Sequence, residues 1–280
     1  MTPGIPAPLW KWVGGKRSLL PDLRAVLPHE FGAYFDPFVG GGALFYDLAA
    51  QGRLDGSDSV VADAAPVVVA AYRGVQANPD GVVSWLDRFK ASTADQSPGF
   101  VLAELRGVLG RGHKHRPEHV AGALIAHQQC GFNGLWRVNQ GGAPNVAAGK
   151  AADGSRFEVR IDSGLVAACS DALQGVDIIE EATARAQVGL FGGDRPTLLD
   201  TAQAGDLVYL DPPYLGDFDG YTPEGFGVDD HLRLRNIALD LAARGVHVIA
   251  SNSGGPEAVA MWSVDPFTVA RIERPGTVNS

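Results

Sequence analysis

The chain has 280 residues, of which 45% are hydrophobic and 20% are charged, and its formal net charge is −9. This composition indicates a folded globular protein, and the negative charge excludes a protein that coats nucleic acid through bulk electrostatics. Neither a signal-peptide pattern nor an apolar run long enough to span a membrane is present. With two cysteines and no metal-ligand spacing, we expect a reducing, cytoplasmic compartment, no membrane partner and no bound metal.

Short apolar runs that alternate with helical patterns predict a doubly wound α/β sheet. The first strand, at 33–38, leads through the glycine turn Gly40-Gly41-Gly42 into a helix at 43–51. The second strand, at 60–62, ends at Asp63 and precedes a helix at 66–75. Further strands are predicted at 188–191, 207–210 and 246–250, with a helix at 229–244 before the last.

The long interval between the second and third predicted strands indicates an inserted subdomain. We assign residues 76–185 to it, with 1–75 and 186–280 forming a discontinuous catalytic domain. The interval holds helical patterns at 82–90 and 100–109, and between residues 106 and 150 it carries six cations against one anion. A basic segment in an acidic protein indicates a surface that faces nucleic acid, the alternative being a solvated positive face without a partner. For the histidines we expect solvated or phosphate-adjacent roles: His113, His115, His119 and His127.

The tetrapeptide Asp211-Pro212-Pro213-Tyr214 directly follows the buried-strand pattern at 207–210. In an open α/β sheet, ligands bind at this end of the strands. A carboxylate and a backbone carbonyl can accept the two N–H bonds of an aromatic amine, and a tyrosine ring can stack on its base. The alternative is a strand that ends in a simple Pro-rich turn.

Two glycine-containing segments indicate ligand contacts near the N-terminus. The turn after the first strand also begins a nicotinamide dinucleotide fold, in which Asp58 or Asp63 would bind the ribose, although Asp63 could equally cap the next helix. Trp12-Val13-Gly14-Gly15-Lys16 is not a phosphate-binding loop, because Trp10 and Arg17 stand where that motif needs glycine and Ser or Thr. An aromatic ring, two glycines and a lysine remain, which suit a carboxylate-bearing ligand.

Four motifs together resemble the Dam-type DNA adenine-N6 methyltransferases, in the family's alpha order: Lys11-Trp12-Val13-Gly14-Gly15-Lys16, Asp36-Pro37-Phe38-Val39-Gly40-Gly41-Gly42, Phe132-Asn133-Gly134-Leu135-Trp136-Arg137-Val138-Asn139 and Asp211-Pro212-Pro213-Tyr214. The resemblance implies a Rossmann-like methyltransferase sheet with an inserted, mainly helical DNA-recognition subdomain. It implies an enzyme that transfers a methyl group from S-adenosyl-L-methionine to N6 of adenine in duplex DNA, after flipping out the base. It further implies a monomer in the cytoplasm of a bacterial or phage-infected cell.

The resemblance also implies the roles of individual residues. Catalysis would fall to Asp211, Pro212, Pro213 and Tyr214. The cofactor would be bound by Trp12 and Lys16 at its methionine part, Phe38 and Gly40 in the pocket, Asp63 at the ribose, Asp194 near the adenine, and Asp211. DNA would be contacted by Lys11, Phe132, Asn133, Leu135 and Arg137, the alternatives being that the two apolar side chains pack and that Arg137 pairs with an acid.

Two departures from the family pattern leave other functions open. Ala147-Ala148-Gly149-Lys150 replaces a tract that usually contains proline, and the sequence stops at Ser280, where the family continues into a final strand. A catalytically impaired DNA-binding relic is therefore one alternative. An RNA-directed methyltransferase is another, against which the large insertion argues. The recognition sequence, and a restriction-modification, phage or housekeeping role, stay undetermined at this point.

Overall fold

The computed structural model describes residues 6–12, 14–110, 115–149, 159–179, 198–215 and 226–272. Within these residues, five parallel strands form one sheet in the order β3-β2-β1-β4-β5. They are β1 (Tyr34–Asp36), β2 (Ser59–Ala62), β3 (Asp177–Ile179), β4 (Leu207–Leu210) and β5 (His247–Ala250). The strand order reverses between β1 and β4, which is the arrangement of a doubly wound sheet. The predicted fold class is confirmed.

The strand bounds follow from local chemistry. Strand β4 occupies the predicted residues, and its four side chains are all buried, as a central parallel strand requires. Strand β1 ends at Asp36, two residues before the predicted end. Pro37 comes next and has no amide hydrogen to donate to a neighbouring strand, so the ladder cannot continue through it.

The third strand of the sheet differs from the prediction. It is β3, which pairs with β2 from Val60↔Asp177 to Ala62↔Ile179, and it lies inside the range 76–185 that the sequence analysis assigned to the insertion. The strand predicted at 188–191 lies outside the described residues. Residues 177–179 begin with an aspartate and are followed directly by two glutamates, so no apolar run marked them as a strand.

Helices cover both faces of the sheet. Alternate strand residues point to opposite faces, so Tyr34, Leu207 and Tyr209 join one core and Phe35, Val208 and Leu210 join the other. The helices are α1 (Leu20–Val26), α2 (Ala43–Ala50), α3 (Pro66–Ala77), α4 (Pro79–Thr93), α5 (Pro98–Leu109), α6 (Pro117–Cys130), α7 (Ser163–Ala172), α8 (Val228–Ala243) and α9 (Pro256–Trp262). Residues of α2 to α7 contribute to the first core, and residues of α8 and α9 to the second.

Helices α4, α5 and α6, within the range 76–185, share the first core with the sheet. Helix α6 packs against α3, α4 and α5 and is buried along almost its whole length. No helix was predicted there, because α6 is buried on almost all sides and includes polar residues among the buried ones, so its sequence shows no amphipathic pattern. The prediction for His127 was wrong, since it is fully buried and burial lowers its pKa to about 4.

Two further features bear on the sequence expectations. No helix in the described part of the chain is both long and apolar enough to cross a membrane. Cys130 and Cys169 are buried free thiols, and burial raises the pKa of each to about 11. Both are therefore poor nucleophiles near neutral pH.

The close contact between α3 and α6 gives a stability prediction. A Cβ added at Gly74 would collide with the backbone carbonyl of Pro117 at the start of α6, whereas one added at Gly107 in α5 would meet no atom within 4 Å. We expect Gly74→Ala to lower the free energy of unfolding by about 1–3 kcal/mol through overpacking. Gly107→Ala should raise it by up to about 1 kcal/mol through helix propensity. Urea unfolding of the two variants checks this, and equal effects would contradict it.

Candidate active site

Three carboxyl groups lie at the carboxyl-terminal ends of neighbouring strands. Asp36 is the last residue of β1, Asp63 follows β2, and Asp211 follows β4. Strand β1 lies between the other two, so the parallel sheet collects residues that are far apart in the sequence. Ligands of doubly wound folds bind at this edge, where the strand order reverses.

Lys16 makes the main polar contact of Asp211. Its Nζ donates a hydrogen bond to Asp211 Oδ2 at 2.6 Å and lies 2.6 Å from Oδ1. The same Nζ donates to the carbonyl oxygen of Gly14 at 2.6 Å and lies 4.8 Å from the centre of the Tyr214 ring. Lys16 is 3% exposed, whereas the Asp211 side chain is 17% exposed. Lys16 is therefore almost completely buried, whereas the carboxylate of Asp211 is partly accessible to solvent.

The two carboxyl groups at β1 and β4 have different protonation behaviour. Burial raises the pKa of Asp211 to about 6, and the charge of Lys16 opposes that shift. Burial raises the pKa of Asp36 to about 8, opposed by the Tyr34 hydroxyl, which donates a hydrogen bond at 3.0 Å, and reinforced by the charge of Asp211. Near neutral pH, Asp211 is therefore ionised and Asp36 is protonated.

The glycine turn after β1 is held from two sides. Gly40 has φ +48°, and a Cβ there would lie 2.5 Å from Trp12 Cδ1, so both conformation and space require glycine. Its amide donates to Asp63 Oδ2 at 2.8 Å, and its carbonyl oxygen accepts hydrogen bonds from Trp10 and Tyr72 at 3.3 Å each. Helix α2 begins directly after this turn, with its first amides at the same edge of the sheet.

The structure distinguishes the two candidate acids near β2. Asp63 Oδ1 accepts a hydrogen bond from the amide of Ala65 at 2.8 Å, but Ala65 is itself the N-cap of α3 and no side chain caps that helix, so the N-cap interpretation of Asp63 is wrong. Asp58 precedes β2 and is exposed at the opposite edge of the sheet, far from the glycine turn. Phe38 is half-buried, with its ring packed edge-on against Phe226 at 5.8 Å. Asp194 lies outside the described residues.

The predicted DNA-contacting turn follows α6. Its first part is the short 3₁₀ segment Phe132–Gly134, in which Asn133 has φ 54°. Phe132 and Leu135 are 52% and 39% exposed, so neither packs in the core. Arg137 is exposed, and its Nε donates to Asn145 Oδ1 at 2.8 Å. This partner is an amide, in contrast to the acid considered from the sequence.

Two residues from the N-terminal segment contact this turn. The Lys11 side chain packs against Gly134, where a Cβ would lie 3.0 Å from Lys11 Cδ. The Trp12 ring stacks on Trp136, with centroids 5.9 Å apart and an angle of 22° between the planes. Because Trp12 also lies against Gly40, a single ring contacts both the glycine turn and the turn after α6.

The sequence analysis gave no role to several residues that shape this site. Trp136 is 4% exposed between the exposed Leu135 and Arg137, and this alternation of period two could have indicated an inward side chain. Asp36 ends the observed β1, but the predicted strand continued to residue 38, so the reasoning used for Asp211 did not single it out. Trp10 offered only its hydrophobicity as a signal.

Comparison with known proteins identifies the family. A family model described as D12 class N6 adenine-specific DNA methyltransferase matches residues 12–274. The chain is 31% identical over 271 residues to the type II methyltransferase M1.LlaDCHI of Lactococcus lactis subsp. cremoris, covering 95% of this chain and 87% of that protein. It is 28% identical to the type II methyltransferase M.MjaIII of Methanocaldococcus jannaschii (88% and 84% covered), and 27% identical to the DNA N-6-adenine-methyltransferase of Escherichia phage P1 (93% and 32% covered).

The matched residues run from Trp12, beside the glycine turn, past Asp211 and the end of β5. They therefore include the strand-end carboxyl groups, the inserted helices and the turn after α6. The chain belongs to the D12 class of N6 adenine-specific DNA methyltransferases.

Proposed function

We propose that this enzyme methylates the N6 amino group of adenine in a short sequence of duplex DNA, and that the turn Asp211-Pro212-Pro213-Tyr214 holds the amino group during transfer. The observation that carries this proposal is the contact of the Asp211 carboxyl group with Lys16, beside the Tyr214 ring at the ligand-binding edge of the sheet. In keeping with the sequence expectations, the enzyme is proposed to act as a monomer, without a metal, in the cytoplasm of a bacterial or phage-infected cell.

The residues around the glycine turn fit S-adenosyl-L-methionine, which supplies an electrophilic methyl group on a sulfonium. Gly40 lets the Trp12 ring lie directly on the turn, and the first amides of α2 lie at the same edge of the sheet. Asp63 accepts backbone hydrogen bonds from Gly40 and Ala65, which fix its carboxylate beside the glycine turn. From this position it is proposed to bind a ribose hydroxyl. Trp12, Phe38 and Lys16 complete the proposed site.

The proposed role of Asp211 is orienting and electrostatic. The amino nitrogen of adenine is a weak nucleophile, because its lone pair is delocalised into the ring. Asp211 and the carbonyl of Pro212 would accept its two N–H bonds and direct the lone pair at the methyl group, while Tyr214 stacks on the base. The N–C bond forms as the S–C bond breaks, and the amino group then loses one proton, which Asp211 would receive.

Reading of the DNA is proposed for the turn after α6. Reaching the amino group requires flipping the adenine out of the duplex, which costs a few kcal/mol. Exposed Phe132 and Leu135 can fill the space left in the stack, with Asn133 and Lys11 as polar contacts. Asn145 holds Arg137 through Nε, so the terminal guanidinium nitrogens are the ones available to read guanine O6 and N7.

The first prediction concerns Asp211. Asp211→Asn keeps the side-chain shape but removes the charge, and we expect kcat to fall by about 10²–10³-fold. Methyl incorporation into unmethylated plasmid DNA, followed by base-resolved mapping, measures the rate and identifies the modified base. Asp58→Asn, at the opposite edge of the sheet, is the matched control and should keep full activity. Modified cytosine as the sole product, or an active Asp211→Asn enzyme, would overturn the assignment.

The second prediction concerns pH. Asp211 must be ionised to accept the amino N–H, so kcat/KM should fall as the pH drops through about 6, where the carboxylate becomes protonated. Lys16 lowers the pKa of Asp211, so Lys16→Met should move this acid limb to higher pH, whereas Lys16→Arg should leave it nearer its original place. Rate profiles from pH 5 to 9 measure both. An unmoved limb in Lys16→Met would show that the ion pair does not set the protonation of Asp211.

The third prediction concerns Arg137. Arg137→Ala should relax the preference at one base pair of the recognition sequence, with a loss of discrimination of about 1–3 kcal/mol. Methylation rates on duplexes substituted at each position of the mapped site measure this. Arg88→Ala removes an exposed cation from α4 instead, and it should change all duplexes alike. A uniform loss for Arg137→Ala would assign Arg137 to phosphate contact rather than base reading.

A further inference from the structure

A buried histidine lies behind the Asp211-Pro212-Pro213-Tyr214 turn. His231, in the first turn of α8, is fully buried. Its ring packs edge-on against Phe226 at 4.8 Å, and its Nδ1 lies 3.4 Å from Nδ2 of Asn252. The sequence analysis assigned no function to either His231 or Asn252.

Asn252 joins the end of β5 to the residue that follows Tyr214. Its Oδ1 accepts hydrogen bonds from the amides of Leu215 at 3.3 Å and Ser253 at 2.8 Å. The Ser253 hydroxyl in turn donates to the carbonyl oxygen of Leu215 at 3.2 Å. The backbone at Leu215 is therefore held through both its amide and its carbonyl by the segment after β5.

These bonds determine the proton arrangement of His231. Because Asn252 Oδ1 already accepts two amides, its Nδ2 must be the atom that faces the ring, and an amide nitrogen only donates. Nδ1 of His231 therefore accepts, and the neutral ring carries its proton on Nε2. Burial lowers the pKa of His231, which favours this neutral form, and hydrogen bonding with the backbone of Pro213 opposes the shift.

The backbone of Pro213, in the catalytic turn, lies close enough to the His231 ring to raise its pKa. Nε2, which carries the proton, is buried and makes no hydrogen bond of regular geometry with the described residues. Hydrogen bonds at catalytic sites often tighten only when the substrate is bound. Pro213 lies between the carbonyl of Pro212 and the ring of Tyr214, the two groups proposed to hold the adenine beside Asp211.

We propose that His231 and Asn252 are positioning residues for methyl transfer. Together they hold the backbone on both sides of Tyr214, His231 at Pro213 and Asn252 at Leu215, and so fix the direction of the Pro212 carbonyl and the plane of the Tyr214 ring. Neither residue touches the reacting atoms. The inference rests on the proposed function of the turn. It adds that the segment after β5 and the start of α8 set the geometry in which the amino group is held.

The test compares four variants in single-turnover methylation of a duplex that contains the mapped site. His231→Leu removes both ring nitrogens, His231→Gln keeps a donor that can reach Pro213, and Asn252→Ala removes the bridge to Leu215. Leu241→Val is the matched control, because it weakens the packing of the same helix at a buried position that has no assigned contact with the turn. Affinity for S-adenosyl-L-methionine and thermal unfolding are measured for each.

We expect the transfer rate to fall about tenfold to a hundredfold in His231→Leu and Asn252→Ala, because small misplacements of a reacting group cost this much. His231→Gln should recover a substantial part of the rate, cofactor affinity should stay within about twofold, and Leu241→Val should keep the wild-type rate. A fifth variant that combines His231→Leu with Asn252→Ala should be little slower than the slower of these two single variants, since both act through one turn.

Three outcomes would overturn the inference. They are wild-type rates in His231→Leu and Asn252→Ala, a His231→Gln enzyme no faster than His231→Leu, or losses that parallel lost folding and are matched by Leu241→Val. Failure of the proposed function itself is distinguishable, since the wild-type enzyme would then produce no N6-methyladenine in the same assay.

Discussion

The ion pair between Lys16 and Asp211 is the contact on which the arrangement of the site depends. Burying a carboxylate alone costs several kcal/mol, so a charged Asp211 at a buried strand end needs a partner that is buried with it. That partner comes from a segment 195 residues away in the sequence. Forming the pair therefore brings the N-terminal segment onto the edge of the sheet, where Trp10 and Trp12 then enclose Gly40.

The same segment relates the catalytic edge to the turn proposed to read DNA. Lys11 packs on Gly134, and Trp12 stacks on Trp136. Helix α6, which leads into this turn, is buried in the core that α3 shares with the sheet, and Gly74 allows the two helices to approach closely. Close-packed interiors transmit displacement rather than absorb it. The distance between the two turns is therefore set by core packing, although they are far apart along the chain.

The sequence predicted those parts of the fold whose signal is local. The apolar run of β4, the glycine turn and α8 were found near their true bounds, because strand hydrophobicity, positive φ and helical periodicity each leave a pattern in a few residues. Strand β3 has no continuous apolar run, and α6 is buried on almost all sides with polar residues among the buried ones. Both are specified by what they pack against, β2 in one case and α3 in the other.

The candidate site likewise contains residues that a local motif predicted and residues whose contacts depend on the folded structure. Motif resemblance predicted Asp211, Tyr214, Gly40 and Arg137 as site residues, and the structure places Lys16 against Asp211. Resemblance alone could not reveal that Lys16 contacts the carboxylate of Asp211, because the two residues are 195 positions apart and meet only once the sheet has formed. His231 and Asn252 lie outside the four motifs, and their bonds to the catalytic turn exist only once β5 lies beside β4.

The difference between Asp36 and Asp211 explains why one carboxylate rather than two is available near neutral pH. Two negative charges at adjacent buried strand ends would repel, and each would raise the pKa of the other. The repulsion is resolved by unequal partners, since Asp211 has the ammonium of Lys16, whereas in the described part of the chain Asp36 accepts from the neutral Tyr34 hydroxyl and Phe38 amide. Asp36 is consequently the group that keeps its proton, with a pKa of about 8 against about 6 for Asp211. A protonated Asp36 adds no negative charge beside Asp211, so the positive charge of Lys16 acts on a single carboxylate. That carboxylate is the one on the turn, where the amino group is proposed to bind.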